Sequence, residues 1–268
     1  MTAPRRAAAV DARVPQPGPG EVLVRVEGCG VCGSSLPLWE GREWFTYPLE
    51  PGAPGHEAWG KLEDGRRVAA LSFHGFGEWD VAREDEVVEL PPELDGIPFP
   101  GEALACAVNI VRRAAVPPRA RVAVVGMGFL GTVVAGLLGD VTEVRRGAPV
   151  EGEFDVVIEA AGTQEALDTA SRLVAAAGRL VVAGYHQDGP RTVDMQSWNW
   201  RGIDVVNAHE RDPQVVMDGM REAVRLAAAG ELDVASLVTH RFSLDELDSA
   251  FHAASTRGPG FLKAVVCP

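Results

Sequence analysis

Hydrophobic and polar positions change rhythm near residue 100. Before that point the chain carries short alternating runs, EVLVRV at 21–26, RVAAL at 67–71 and EVVEL at 86–90, broken by Gly and Pro clusters at 15–20 and 48–55. Alternation of apolar and polar residues between turn formers predicts strands, so this part reads as a small all-β module. Beyond it, apolar strands (121–125, 154–159, 179–183, 203–207, 261–266) alternate with helix-period segments (129–139, 164–177, 213–229, 244–255). Such alternation predicts an α/β region with a parallel sheet and helices on both faces. Ser243 and Glu246 are spaced as a capping box at the start of the last helix.

Composition narrows the possible partners. A chain of 268 residues can bury a substantial core and accommodates one large domain or two smaller ones. The excess of 38 acidic over 25 basic side chains gives a net charge of −13, which disfavours nucleic acid and anionic membranes. Any anionic ligand therefore needs a local device to hold it. No apolar run approaches bilayer length and the amino-terminal stretch lacks the apolar core of a signal peptide, so a cytoplasmic protein is expected.

The stretch RVAVVGMGFLGTVVAG supplies one such device. An apolar strand runs into Gly126, Met127, Gly128, Phe129, Leu130 and Gly131 and then into a helix. In this G-x-G-x-x-G arrangement the first glycine makes the turn and the second admits a pyrophosphate. The third lets helix and strand pack closely, with the helix amino end facing the anion. An acidic residue is expected at the end of the following strand to hold the ribose. VTEVRRGA offers Arg145 and Arg146 there, with Glu143 two residues earlier. Guanidinium forks suit a 2′-phosphate, which favours NADP over NAD.

Only GAPVEGE separates Arg146 from the strand that starts at Phe154. A parallel crossover needs a dozen or more residues, usually a helix. One αβ unit is therefore expected to be missing from the first half of the sheet.

The chain has four cysteines, Cys29, Cys32, Cys106 and Cys267, and only the first two form a close pair, in VEGCGVCGSS. A C-x-x-C in such a chain points to half of a structural zinc site, a redox dithiol, or one metal ligand beside a bystander.

Taken in order, GEVLVRVEGCGVCGSSLPLWEG, PGAPGHEAWG, GRRVAAL, GEALACAVNIVRR, VAVVGMGFLG, DVVIEAAG and GRLVVAGY resemble the medium-chain, zinc-dependent alcohol and polyol dehydrogenases over most of the chain. The resemblance implies a GroES-like β-barrel domain over 1–100, rejoined by the segment from about 235 to 268, and a truncated Rossmann domain over 101–234. It also implies one catalytic zinc, NADP or NAD, a small polar alcohol or ketone as substrate, and a homo-oligomer, expected to be a dimer.

By that resemblance Cys32 is the thiolate ligand, His56 the imidazole ligand, Glu57 the neighbouring carboxylate that binds or exchanges onto the metal, and Glu102 the acidic third ligand. A mixed S, N and O set with an open position is what catalytic zinc requires. Cys29 becomes the bystander. Ser34 is the hydroxyl that carries the alcohol proton away, and Gly126, Gly128, Phe129, Leu130 and Gly131 with Arg145 and Arg146 contact the dinucleotide.

The chain also departs from the family. Ser35 and Pro37 stand where relatives carry Asp and His, so the outer histidine of the proton relay is absent. The four-cysteine structural-zinc lobe is missing as well, which leaves at most one zinc per chain. His186, just after a strand's carboxyl end, is a candidate catalytic residue. His209 and Arg211 are candidates for the substrate pocket or a dimer contact, whereas Trp198 and Trp200 suit a pocket wall or the core. His74, His240 and His252 are expected at the surface or in packing.

Overall fold

A computed structural model describes residues 1–268 and divides them into two compact units, 1–105 with 216–268, and 106–215. The first unit opens with β1 (Glu21–Gly30), β2 (Ala58–Lys61), β3 (Arg67–Ala70), β4 (Trp79–Arg83) and β5 (Val87–Glu89). The second unit contains β6 (Val122–Val125), β7 (Thr142–Val144), β8 (Phe154–Glu159), β9 (Val174–Val182) and β10 (Asp204–Asn207). The chain then returns to the first unit for β11 (Val238–Ser243) and β12 (Lys263–Cys267). The helices are α1 (Leu36–Glu40), α2 (Gly101–Ala114), α3 (Phe129–Leu138), α4 (Gln164–Leu173), α5 (Met195–Arg201), α6 (Pro213–Ala228), α7 (Val234–Leu237) and α8 (Leu247–Thr256). No helix is long and apolar enough to cross a membrane.

In the first unit one mixed sheet runs in the order β11-β12-β1-β2-β3-β5, with β4 also on β1. The long strand β1 organises it. Its first half pairs antiparallel with β4 (Val22↔Ala82) and its second half with β12 (Cys29↔Val266), while β2 lies along its other side across a bulge between Val26 and Gly28. Antiparallel pairing of Cys29 with Ala58 sets the end of β1 beside the residues that precede β2. This register is what brings distant parts of the sequence to one place. Helices α1 and α8 cover the sheet through Trp39 and Phe251, whose rings stack at 5.8 Å. The return begins with α6, earlier than the resemblance implies, because Met220 of α6 packs over Gly101 and Ala69 of the first unit.

The second unit is a five-stranded parallel sheet of Rossmann type in the order β10-β9-β8-β6-β7. Its core joins Ala123, Val157, Leu167, Ala170 and Leu180. The chain runs from β6 out to β7 and then back to β8 on the opposite side of β6, so the strand order reverses there. Such a switch point is where open parallel sheets bind ligands. Residues 145–153 make the return with no helix, and Val150 packs on the core to anchor it. No strand lies beyond β7, in keeping with the lost αβ unit.

Helices α4 and α5 are among the elements that differ from the sequence expectation. Helix α4 stops at Leu173 rather than continuing to 177, because Val174 pairs with Phe154 and Ala177 takes a left-handed conformation at φ 56°. Helix α5, capped by Asp194 on the Ser197 amide, occupies a stretch in which no helix was expected.

Candidate metal centre

Cys32 follows β1 and leads into a 3-10 turn over Gly33–Ser35, closed by the Ser35 amide donating to the Cys32 carbonyl at 3.1 Å. His56 ends the turn-rich segment ahead of β2, and Glu57 follows it. The Gly55 amide donates to Gly52 O (3.1 Å), and the Gly75 amide donates to Gly55 O (2.8 Å), so the His56 segment is tied at both sides. At the ring, Pro54 O lies 2.9 Å from Nδ1. A carbonyl only accepts, so Nδ1 carries the proton and Nε2 is the nitrogen turned to the site.

Ligand atoms of Cys32, His56 and Glu57 all lie within 4.8 Å of one another. Ser34 completes the cluster: its Oγ donates to Cys32 Sγ at 3.1 Å and sits 3.4 Å from His56 Nε2. Glu102, half-buried in the first turn of α2, is outside this tight group but close enough for its charge to act on both His56 and Lys263.

Glu57 is fully buried, as is the ammonium that faces it. Lys263 Nζ donates to Glu57 Oε1 at 2.6 Å. Oε2 lies 2.5 Å from the same nitrogen but outside hydrogen-bond geometry, and is left without a donor. A side chain on Gly30 would have its Cβ 1.8 Å from Glu57 Oε2, so only glycine leaves room for this carboxylate. The Gly30 amide donates to Glu57 O (3.1 Å) and fixes the backbone beside it.

Charge at the cluster is strongly cation-seeking. Burial alone would lower the His56 pKa, but a hydrogen bond donated to the Cys32 sulfur and then the charges of Cys32, Glu102 and Glu57 overcome it and push it up to about 10. Burial likewise lowers Lys263, and Glu57, Cys32 and Glu102 more than reverse that, so it stays an ammonium. Cys29 behaves otherwise: burial, with the Glu57 charge, raises its thiol well above the ordinary value. It is an inert packing residue.

A sulfur, an imidazole nitrogen and carboxylate oxygens, one of them orphaned, are donors that zinc accepts. The residues present therefore fit the metal. All four cysteines are free, and no second cluster of three metal-binding side chains exists.

The remaining sequence candidates fall in the second unit. The Gly126–Gly131 turn joins β6 to α3 at the switch point, and no side chain caps the helix and no acid occupies its first turn. A Cβ on Gly131 would lie 1.9 Å from Gly126 O, which makes glycine obligatory for this tight turn. Phe129 and Leu130 form the first turn of α3. Arg145 pairs with Glu143 (2.9 Å) and Arg146 with Glu165 (3.1 Å), both on exposed side chains.

His186 has both ring nitrogens engaged. Arg191 Nε donates to Nδ1 at 2.8 Å, so the ring proton is on Nε2, which donates to Glu159 Oε2 at 3.0 Å. Glu159 Oε1 accepts from the Ala161 and Gly162 amides at 2.8 and 2.7 Å. The imidazole is thus a strut between the end of β8 and the loop that follows β9, with no nitrogen left for substrate. Trp198 packs on the core, Trp200 is 91% exposed, and His209 is exposed beside Tyr185.

Sequence reasoning missed Lys263 and Glu159. Lys263 is the one charge in FLKAVV, and Glu159 closes the apolar run Val156–Ile158 in DVVIEA. Such a charge is almost never buried unpaired, and that was the available signal.

Comparison with known proteins gives matches to two family models, an alcohol dehydrogenase GroES-like domain over residues 18–74 and a zinc-binding dehydrogenase domain over 133–258. Among curated relatives, L-galactonate-5-dehydrogenase of Escherichia coli K12 is 22% identical over 94% of this chain and 93% of its own. Sorbitol dehydrogenase of Gallus gallus is 24% identical over 95% and 91%. Among solved structures, 2R,3R-butanediol dehydrogenase from Bacillus subtilis superposes with a TM-score of 0.83 at 20% identity, covering 100% of this chain and 98% of the other. A protein of Sinorhizobium meliloti 1021 crystallised with NADP gives 0.81 at 24% identity, covering 97% and 96%.

Proposed function

This chain belongs to the zinc-dependent medium-chain dehydrogenase family and is an oxidoreductase; from that premise we propose that it interconverts a secondary alcohol and a ketone on a small polyol, sugar or cyclitol-like substrate, with a nicotinamide dinucleotide exchanging the hydride. The observation that carries this reading is the convergence of the Cys32, His56 and Glu57 donor atoms within 4.8 Å. Zinc bound there supplies a Lewis acid that polarises the substrate oxygen.

The chain's own residues do the rest. Cys32 and His56 hold the metal, with the Pro54 carbonyl fixing the imidazole tautomer. Glu57 and Glu102 are the two carboxylates available as a third ligand. Glu57 is half committed to Lys263, whereas Glu102 sits at the start of α2. Ser34, exposed and bonded to Cys32 Sγ, is placed to accept the alcohol proton and donate its own to solvent, because a hydroxyl does both at once. With Pro37 in place of a relay histidine, water is the next acceptor.

In the second unit, the amino end of α3 is the pyrophosphate site and Arg145 and Arg146 the partners for a 2′-phosphate, which supports NADP. The test is turnover of a polyol and ketone panel by zinc-loaded protein with NADP and NAD, followed by nicotinamide absorbance. Reduction of either cofactor by a secondary alcohol supports the reading, and metal-free protein of equal activity removes it.

A second reading is favoured by one observation, the five-stranded sheet in which β7 is the edge and no helix follows it. Part of the wall for the adenosine is thereby lost. A protein that kept the fold without hydride transfer would serve as a lyase, an isomerase or a binding protein. Nicotinamide fluorescence titration separates the two: saturable binding of NADPH or NADH favours the dehydrogenase, and its absence favours the alternative.

A further inference from the structure

Arg257 ends α8 in the left-handed conformation, at φ 47° and ψ 59°, with its amide donating to Ala253 O. Glycine is the residue that such a helix end favours, because a Cβ crowds the following carbonyl there. Gly258 follows directly, yet an arginine holds the position. Its Nε donates to Ala254 O at 3.3 Å. The two terminal nitrogens have no hydrogen-bond partner, and no carboxylate lies within ion-pair distance, although the chain carries 38 acidic residues.

The guanidinium is aimed at the metal loop. Arg257 Nη2 lies 3.4 Å from the point where a Cβ on Gly33 would sit. Gly33 stands between Cys32 and Ser34, and consecutive Cα atoms are about 3.8 Å apart. The base beneath the arginine is firm, since Ala250, Phe251 and Ala254 of α8 are buried in the core of the first unit.

Resting on the dehydrogenase reading, we propose that Arg257 is an oxyanion-binding residue of the Cys32–Ser34 loop, its two terminal nitrogens holding a carboxylate or phosphate of a ligand that engages the metal centre. A planar fork with two free nitrogens matches two oxygens of such a group. On a protein of net charge −13 it also supplies the local device that an anionic ligand requires. The oxyanion is a terminal group on the substrate, making it a sugar acid or sugar phosphate in place of a neutral polyol. The bond to Ala254 O is a helix-end contact made by Nε alone, and it leaves the fork unused.

The experiment compares zinc-loaded wild type with Arg257→Gly and Arg257→Lys. By the backbone argument Arg257→Gly folds at least as well as wild type, which melting and circular dichroism check. Turnover is measured on sorbitol, gluconate and sorbitol 6-phosphate, and NADH and NADPH affinities by fluorescence. Arg257→Gly is expected to weaken one class of oxyanion ligand about tenfold or more, with partial recovery in Arg257→Lys. A loss in kcat/KM confined to gluconate or sorbitol 6-phosphate assigns the substrate's own group. A loss in NADH and NADPH affinity with sorbitol, gluconate and sorbitol 6-phosphate affected alike overturns the proposal. Unchanged values for all these ligands overturn the proposal while leaving any turnover of sorbitol, and hence the dehydrogenase reading, in place. Should wild type turn over none of the substrates, that reading fails, and calorimetric binding of gluconate and inorganic phosphate to the same three proteins still decides on Arg257. Equal binding by wild type and Arg257→Gly overturns it.

Discussion

Lys263 Nζ lies 2.6 Å from Glu57 Oε1, and the two side chains are 5% and 0% exposed. The pair links the last strand, β12, to the residue next to His56, so that strand buttresses the proposed metal site more than two hundred positions earlier. A buried pair of this kind contributes little against an apolar equivalent, but removing one partner leaves the other charge stranded without solvent.

Replacing Lys263 with Met is therefore expected to destabilise the fold by about 3–5 kcal/mol, as measured by denaturant unfolding of the metal-free protein. Adding Glu57→Gln to Lys263→Met removes the stranded carboxylate and is expected to restore much of that loss. If the double variant is as unstable as the single one, the cost lies in packing and not in the unpaired charge.

Metal content tests the donor set more directly than activity does. Cys32→Ala and His56→Ala are each expected to abolish stoichiometric zinc in purified protein, because two ligands do not make a structured site. Between the carboxylates, Glu102→Gln and Glu57→Gln report which one supplies the third bond. The variant with the larger fall in zinc affinity names the ligand. Full occupancy in both Cys32→Ala and His56→Ala would refute the site.

Much of this was legible in the chain, for reasons that differ by residue. The β6 strand and its glycine turn were visible because Val122–Val125 is uniformly apolar and Gly131 has a steric role that no other residue fills. The absent αβ unit was visible from length alone, since seven residues cannot build a helical crossover. Cys32 and His56 came from motif resemblance, and their meeting depends on the β1–β2 register, which no local pattern encodes. Lys263 and Arg257 escaped notice because their meaning depends on partners more than two hundred positions away. The end of α4 was misjudged because Ala175, Ala176 and Ala177 favour helix locally while Val174 is claimed by Phe154 of β8.

The pH response of the metal-free protein follows from His56. Its folded pKa of about 10 lies above the ordinary value of 6.5, so its protonation stabilises the fold. The sign follows from linkage: the contribution is fully present below about pH 6.5 and is lost as pH rises toward 10. The melting temperature of metal-free protein is expected to fall across that window. Zinc bound as proposed would take the place of the proton on Nε2 and is expected to flatten the profile. In Cys32→Ala the largest source of the upward push is gone, so its profile is expected to be much shallower than that of the metal-free wild type. A steep profile in that variant would assign the transition to another group.

The proposed preference for NADP rests on two exposed arginines whose present partners are weak competitors. Arg145 and Arg146 sit 66% and 89% exposed against Glu143 and Glu165, and surface ion pairs of this type are worth about 0–1 kcal/mol. A 2′-phosphate carries more charge and more acceptor oxygens than either carboxylate, so it displaces them readily. Replacing both arginines with Ala is expected to weaken NADPH by about 1–3 kcal/mol, on the scale of hydrogen bonds to charged groups. NADH, which lacks the phosphate, should change by far less. In the same titration Glu143→Gln separates the two possible uses of that carboxylate. If Glu143 holds the ribose hydroxyls, NADH binding falls; if it only neutralises Arg145, NADPH binding rises and NADH binding is unmoved.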